Sequence, residues 1–203
     1  MSCKSFAPSK LRNPSPERTR NPPRNKTSPA ESHSIAKEEA MRDVEVYAGA
    51  ALLGTLTGMR SMAAPVVLGQ LSRDGALANV TNGLALVTRP RFATVAQVLA
   101  VGELVADKLP LAPNRTAVGP LLGRAFTGGI SGAVLCSAKK RSPWVGALIG
   151  AAAAVGAAYA AYELRKRAGQ ALHVSDTLIA LTEDALVVSL GTAVASHFSR
   201  SES

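Results

Sequence analysis

From residue 43 onward the chain alternates long apolar segments with short polar breaks, a pattern missing from the stretch before it. The clearest segment covers 144–162, WVGALIGAAAAVGAAYAAY, and contains no charge. At about 1.5 Å of rise per residue such a helix nearly spans a hydrocarbon core roughly 30 Å thick. Lys139, Lys140 and Arg141 flank it on one side, and Arg165, Lys166 and Arg167 on the other. Segments 46–71, 92–108, 117–138 and 177–198 read the same way, each apolar apart from one or more isolated charges. The segment 92–108 is short for a full crossing and reads as a tilted or re-entrant helix. The pattern predicts an all-α, polytopic membrane protein with about five transmembrane or re-entrant helices, within a range of about four to six. A soluble bundle would carry Lys, Glu and Arg along its outer helix faces, and 144–162 has no such face.

The isolated charges are the most informative positions in the apolar segments: Arg60, Glu103, Asp107, Lys108, Arg124, Glu183 and Asp184. A charge at the centre of a membrane helix costs about 2.5 to 3.5 kcal/mol, so such residues must pair, line a wet cavity or lie near the surface. Glu103 and Asp107 are four apart and share one helix face, with Lys108 turned about 100° from Asp107. Pro110 and Pro113 end that helix, and Arg115 follows in the turn before the next apolar segment. If the two segments form a hairpin, Arg124 faces back toward the same region. Gly58 and Pro65 bracket Arg60, and a helix interrupted there is tolerated where protein or water satisfies the freed backbone groups. Glu183 and Asp184 are adjacent and point in directions about 100° apart, so at most one can face any single partner: one is expected to pair with Arg60 or Arg124, and the other to keep a proton and serve the relay. The candidate polar site is therefore Arg60, Glu103, Asp107, Lys108, Arg115, Arg124, Glu183 and Asp184, suited to an anionic small molecule or a proton relay; the alternative is a set of internal salt bridges.

Composition changes this picture at the N-terminus. Residues 1–42 are rich in Pro, Ser, Lys and Arg, too polar to offset chain entropy, and read as a disordered tail ahead of a membrane domain over 43–199 and a short tail at 200–203. No continuous apolar run marks a signal peptide there. The net charge of +9 and pI near 10.1 call for anionic lipid headgroups rather than a nucleic acid, since no basic patch is interleaved with aromatic residues. The basic tail favours a cytoplasmic N-terminus, and five spans would then place Arg165–Arg167 inside and Lys139–Arg141 outside.

Other candidate chemistry adds little. Cys3 and Cys136 give no disulfide framework, and His33, His173 and His197 lack ligand spacing, so neither a metal nor another cofactor is expected. Small residues four apart recur at Gly54/Gly58, Gly119/Gly123, Gly128/Gly132 and Gly146/Gly150, which are helix-packing grooves and candidate homo-oligomer faces. GGISG at 128–132 lacks the Lys-Ser or Lys-Thr of a phosphate loop.

TGMRSM at 57–62, ELVADKLP at 103–110, PNRT at 113–116, GRAFTGG at 123–129 and ALTEDAL at 180–186 together resemble the small bacterial membrane proteins grouped as "domain of unknown function 4126". The resemblance runs from about residue 48 to residue 195 and implies a multi-pass helical protein of the bacterial inner membrane with no assigned activity. It marks Arg60, Glu103, Asp107, Lys108, Pro110, Arg115, Arg124, Glu183 and Asp184 as motif positions. Three function classes follow. The leading one is a small transporter or channel lined by these charges. The alternatives are an enzyme acting on a lipid phosphate, clamped by Arg115 and Arg124 with Glu103 or Asp107 as acid or base, and a non-catalytic scaffold.

Overall fold

The computed structural model describes residues 29–80, 82–106, 118–172 and 176–200. They form the helices α1 (Pro29–Met59), α2 (Ala63–Arg73), α3 (Pro90–Ala106), α4 (Val118–Ala138), α5 (Pro143–Leu172) and α6 (Asp176–Arg200), with a short 3₁₀ helix at Asn82–Leu86. No strand occurs among the described residues, so the all-α expectation holds.

Contacts between the helices fix their directions. Glu45 meets His197 at one end of α1 and Arg60 meets Asp184 at the other, so α1 and α6 are antiparallel. A Cβ on Gly132 would strike Gly146, and one on Gly128 would strike Gly150, so α4 and α5 are antiparallel. Gly54 abuts Gly150 and Gly58 abuts Ala154, so α1 and α5 run parallel. Ser61 and Met62 bond to Glu103 while Gly69 packs on Ala93, so α2 and α3 are antiparallel. The chain therefore runs up and down six times between two polar ends. One end holds Arg60; the other joins Arg141 to Asp43 (2.5 Å), His197 to Glu45 (2.6 Å) and Ser199 to Asp74 (2.7 Å).

This alters two expectations. Segment 46–71, read as one interrupted span, is a hairpin: α1 stops at Met59, and α2 returns toward the Arg141 end, where Asp74 reaches Ser199. Pro65 is part of the cause. It has no N–H to donate back to Ser61, so an uninterrupted helix is already short of a bond at this point, whereas the first turn of a new helix accommodates proline. Helix α1 also begins at Pro29, so it extends well into the segment assigned to the tail, with residues 31–42 almost wholly exposed.

Two helical stretches, Val118–Ala138 and Pro143–Arg167, are long and apolar enough to cross a membrane. The core lies among α1, α2, α4 and α6, where Leu53, Leu56, Leu68, Leu71, Val134 and Leu135 are fully buried. Helix α5 joins it through small residues. Gly150 accepts the α1 and α4 backbones at Gly54 and Gly128 so closely that no Cβ fits at either contact, which makes α5 a packed strut with its large side chains turned outward. Trp144 is 80% exposed and Leu148 72%, and on α4 Phe126 is 71% exposed.

Candidate functional site

The site forms where α1 breaks. Arg60 lies outside both helices, and its amide still bonds to the Leu56 carbonyl at 2.8 Å. The amides of Ser61 and Met62 instead meet Glu103, whose Oε1 and Oε2 accept them at 3.0 and 3.2 Å. One carboxylate from α3 thus satisfies two orphan donors at the start of α2, where the helix dipole also favours negative charge.

Around that turn two ion pairs form, Arg60–Asp184 and Arg165–Glu183. Arg60, 8% exposed, donates through Nε (2.8 Å) and Nη2 (2.5 Å) to Oδ1 of Asp184. Arg124, 6% exposed, donates through Nε to the Ser61 hydroxyl at 3.4 Å. Glu183, one residue before Asp184, turns to Arg165 on α5 at 2.6 Å. The two adjacent carboxylates point apart and each takes its own arginine, so the one expected to stay without an arginine is paired as well, with Arg165.

Five of the eight candidate residues, Arg60, Glu103, Arg124, Glu183 and Asp184, gather at the Arg60 end. Asp107, Lys108 and Arg115 lie outside the described residues. Sequence reading missed Arg165, which looked like a loop charge because the uncharged run ends at Tyr162. Helix α5 continues to Leu172 and carries Arg165 to Glu183. Glu163 and Arg167, paired at i, i+4, were the available signal that the helix continues.

The depth of this cluster follows from α5 used as a ruler. Gly58 packs against Ala154, Ala157 and Ala158, which places Arg60 near the level of Ala158. That is about four residues, roughly 6 Å, short of Tyr162. The break therefore lies inside the uncharged run of α5 but toward one end of it.

A cavity of about 670 Å³ opens beside the break, between α2, α3 and α6. Arg60, Glu103 and Asp184 line one end; Gln70, Asp74 and Ser196 line the other; Ala63, Val66, Val67, Val187, Val188 and Gly191 form walls between them. Asp74 accepts from Gln70 Nε2 at 3.0 Å and from Ser199 Oγ at 2.7 Å, both neutral donors. Among the described residues no group of three or more His, Cys, Asp or Glu is placed to hold a metal ion.

Fold and site together define an antiparallel helical bundle with a charged cluster at a helix break, bordering a largely apolar cavity. The chain matches no family profile, no curated protein and no solved structure.

Proposed function

We propose that this chain is an integral protein of a bacterial inner membrane, similar to the "domain of unknown function 4126" proteins, and that it acts as a small transporter or channel through the cluster at the Arg60 break. The observation that carries this reading is the break itself: Arg60, Ser61 and Met62 held by Asp184, Arg124 and Glu103 at the mouth of the cavity of about 670 Å³. Discontinuous helices inside membrane domains recur where ions and polar substrates bind, because the freed backbone groups and nearby charges supply ligands that a continuous helix lacks. The outward-facing Trp144, Leu148 and Phe126 support membrane insertion, since lipid covers large apolar side chains that water would not. On this reading α1, α3, α4, α5 and α6 cross the bilayer, and α2, eleven residues and about 16 Å long, is the short return pass between α1 and α3 that makes the number of passes even.

The test is access. Single cysteines at Glu103, Ala63 and Thr192, all three in the cavity lining, in a Cys3→Ser, Cys136→Ser background, are treated with a membrane-impermeant thiol reagent in intact and opened vesicles. Labelling at these positions supports a hydrated site open to solute; protection at all three in inserted protein sinks the transporter reading and leaves a scaffold of internal salt bridges.

A further inference from the structure

The cavity's charge balance identifies the class of ligand it suits. Among the described residues its lining holds one cation, Arg60, and three carboxylates, Glu103, Asp184 and Asp74. Arg60 is matched by Asp184, and spends both Nε and Nη2 on a single oxygen, Oδ1. Among the described residues the other two carboxylates have no ion-pair partner: there Glu103 accepts the Ser61 and Met62 amides, and Asp74 accepts from Gln70 and Ser199. Neutral donors stabilise a carboxylate without cancelling its charge, so one uncompensated negative charge remains at each end of the cavity. The distance between those ends is about the length of α2, roughly 16 Å, and the wall between them is valine, alanine and glycine.

We propose that this cavity binds lipophilic organic cations, their apolar body against Val66, Val67, Val187 and Val188 and their positive charge near Glu103 or Asp74. An anion would meet the same valines but two unneutralised carboxylates, so the cavity favours the sign opposite to that suggested by the arginine-rich sequence motifs. Low-dielectric walls strengthen this discrimination, because charges beside apolar surface are poorly screened. The inference rests on the reading of the cavity as a ligand site and adds the charge and chemical class of the ligand.

The experiment compares two probes of nearly the same shape and opposite charge, tetraphenylphosphonium and tetraphenylborate. Binding is measured to the full chain in nanodiscs of zwitterionic phosphatidylcholine, with empty nanodiscs as the blank. Saturable tetraphenylphosphonium binding is expected, weakened about fivefold by Asp74→Asn and by Glu103→Gln and lost in Thr192→Trp, which fills the cavity from an exposed position. Tetraphenylborate should not exceed the blank. Asp74→Asn leaves the Glu103 link intact, so the test does not depend on a variant that loosens the turn. Equal or tighter tetraphenylborate binding overturns the proposal, as does tetraphenylphosphonium binding that matches the blank or ignores both substitutions. If thiol labelling reaches the cavity yet the cation does not bind, the ligand class alone is wrong; protection together with no binding removes the ligand site as well.

Discussion

Arg60 and Asp184 show how a charge is tolerated in a largely apolar chain: neither is fully dry, and each answers the other. Side-chain exposure is 10% for Arg60 and 25% for Asp184, so the pair keeps some contact with solvent while staying in close contact. Removing one partner leaves a charge with little water to replace it. Asp184→Asn is expected to destabilise the folded chain by about 2 kcal/mol, less than a fully buried pair would lose because Asp184 is partly solvated. Converting both residues to apolar side chains, Arg60→Met with Asp184→Leu, should cost less than the sum of the single changes. Denaturation in detergent, followed by loss of helical signal, checks both, and additive effects would show that the two charges do not act as a pair. Glu103 makes a sharper contrast. Glu103→Ala orphans two amides and should cost about 2 to 3 kcal/mol, whereas Glu103→Gln keeps one acceptor oxygen and should cost about half as much. Equal losses in the two variants would mean that the carboxylate charge, and not the capping of the amides, holds α3 to the turn.

At the scale of elements, the helices depend on how closely they approach and how they end. Gly150→Val puts a branched side chain where the Gly128 carbonyl and Gly132 already touch α5, so α4 and α5 must separate. Its expected cost exceeds about 3 kcal/mol, while Gly123→Ala, which meets open space, should be near neutral. Comparing their melting temperatures tests whether small-residue packing or the charged cluster dominates the fold. The end of α4 carries a second device. Arg141 N bonds to Cys136 O and Lys140 N to Ser137 O, a Schellman cap, with Lys140 at φ 57° where glycine is favoured. Lys140→Gly should therefore raise stability by about 0.5 to 1 kcal/mol, and a fall would indicate that the Lys140 side chain makes a contact worth more than the backbone cost. The same elements show what was legible beforehand. Apolar length with flanking charge located α4, α5 and α6, and glycine spacing located three of the grooves, since these signals are local. Gly119 and Gly123 share that spacing but face open space, because spacing does not reveal whether a neighbouring helix is present. The α1–α2 reversal was hidden: Gly58 and Pro65 marked a break, but only the distant Glu103 and Asp184 show that the chain turns back there rather than continuing. Arg165 was hidden for a related reason, since its partner lies on another helix.

For the whole molecule, the extra reversal at Arg60 changes which basic residues share a side. An odd number of crossings would separate the two termini; six alternating helices return the end of α6 to the end where α1 begins, as Glu45–His197 and Asp43–Arg141 show. Arg73, Arg89, Arg91, Lys139, Lys140, Arg141 and Arg200 then belong to the same end as Asp43 and Glu45 of α1, while Arg165, Lys166 and Arg167 lie at the other. With five spans, Lys139–Arg141 opposed the positive-inside rule and Arg165–Arg167 obeyed it. If the bundle crosses a membrane as proposed, its six alternating helices exchange these roles, and the positive-inside rule then predicts the Arg141 end in the cytoplasm. A reporter active only outside the cytoplasm, fused after Ser203 or inserted after Lys140, should therefore stay silent, and the same reporter placed near Lys166 should be active. An active reporter after Ser203 together with a silent one near Lys166 would restore the five-span order, and the α1–α2 hairpin would then have to lie within the bilayer without contributing a return to the first side. A silent reporter at all three positions would mean that the bundle does not cross the membrane, and the exposed apolar faces of α4 and α5 would then require a protein partner to cover them.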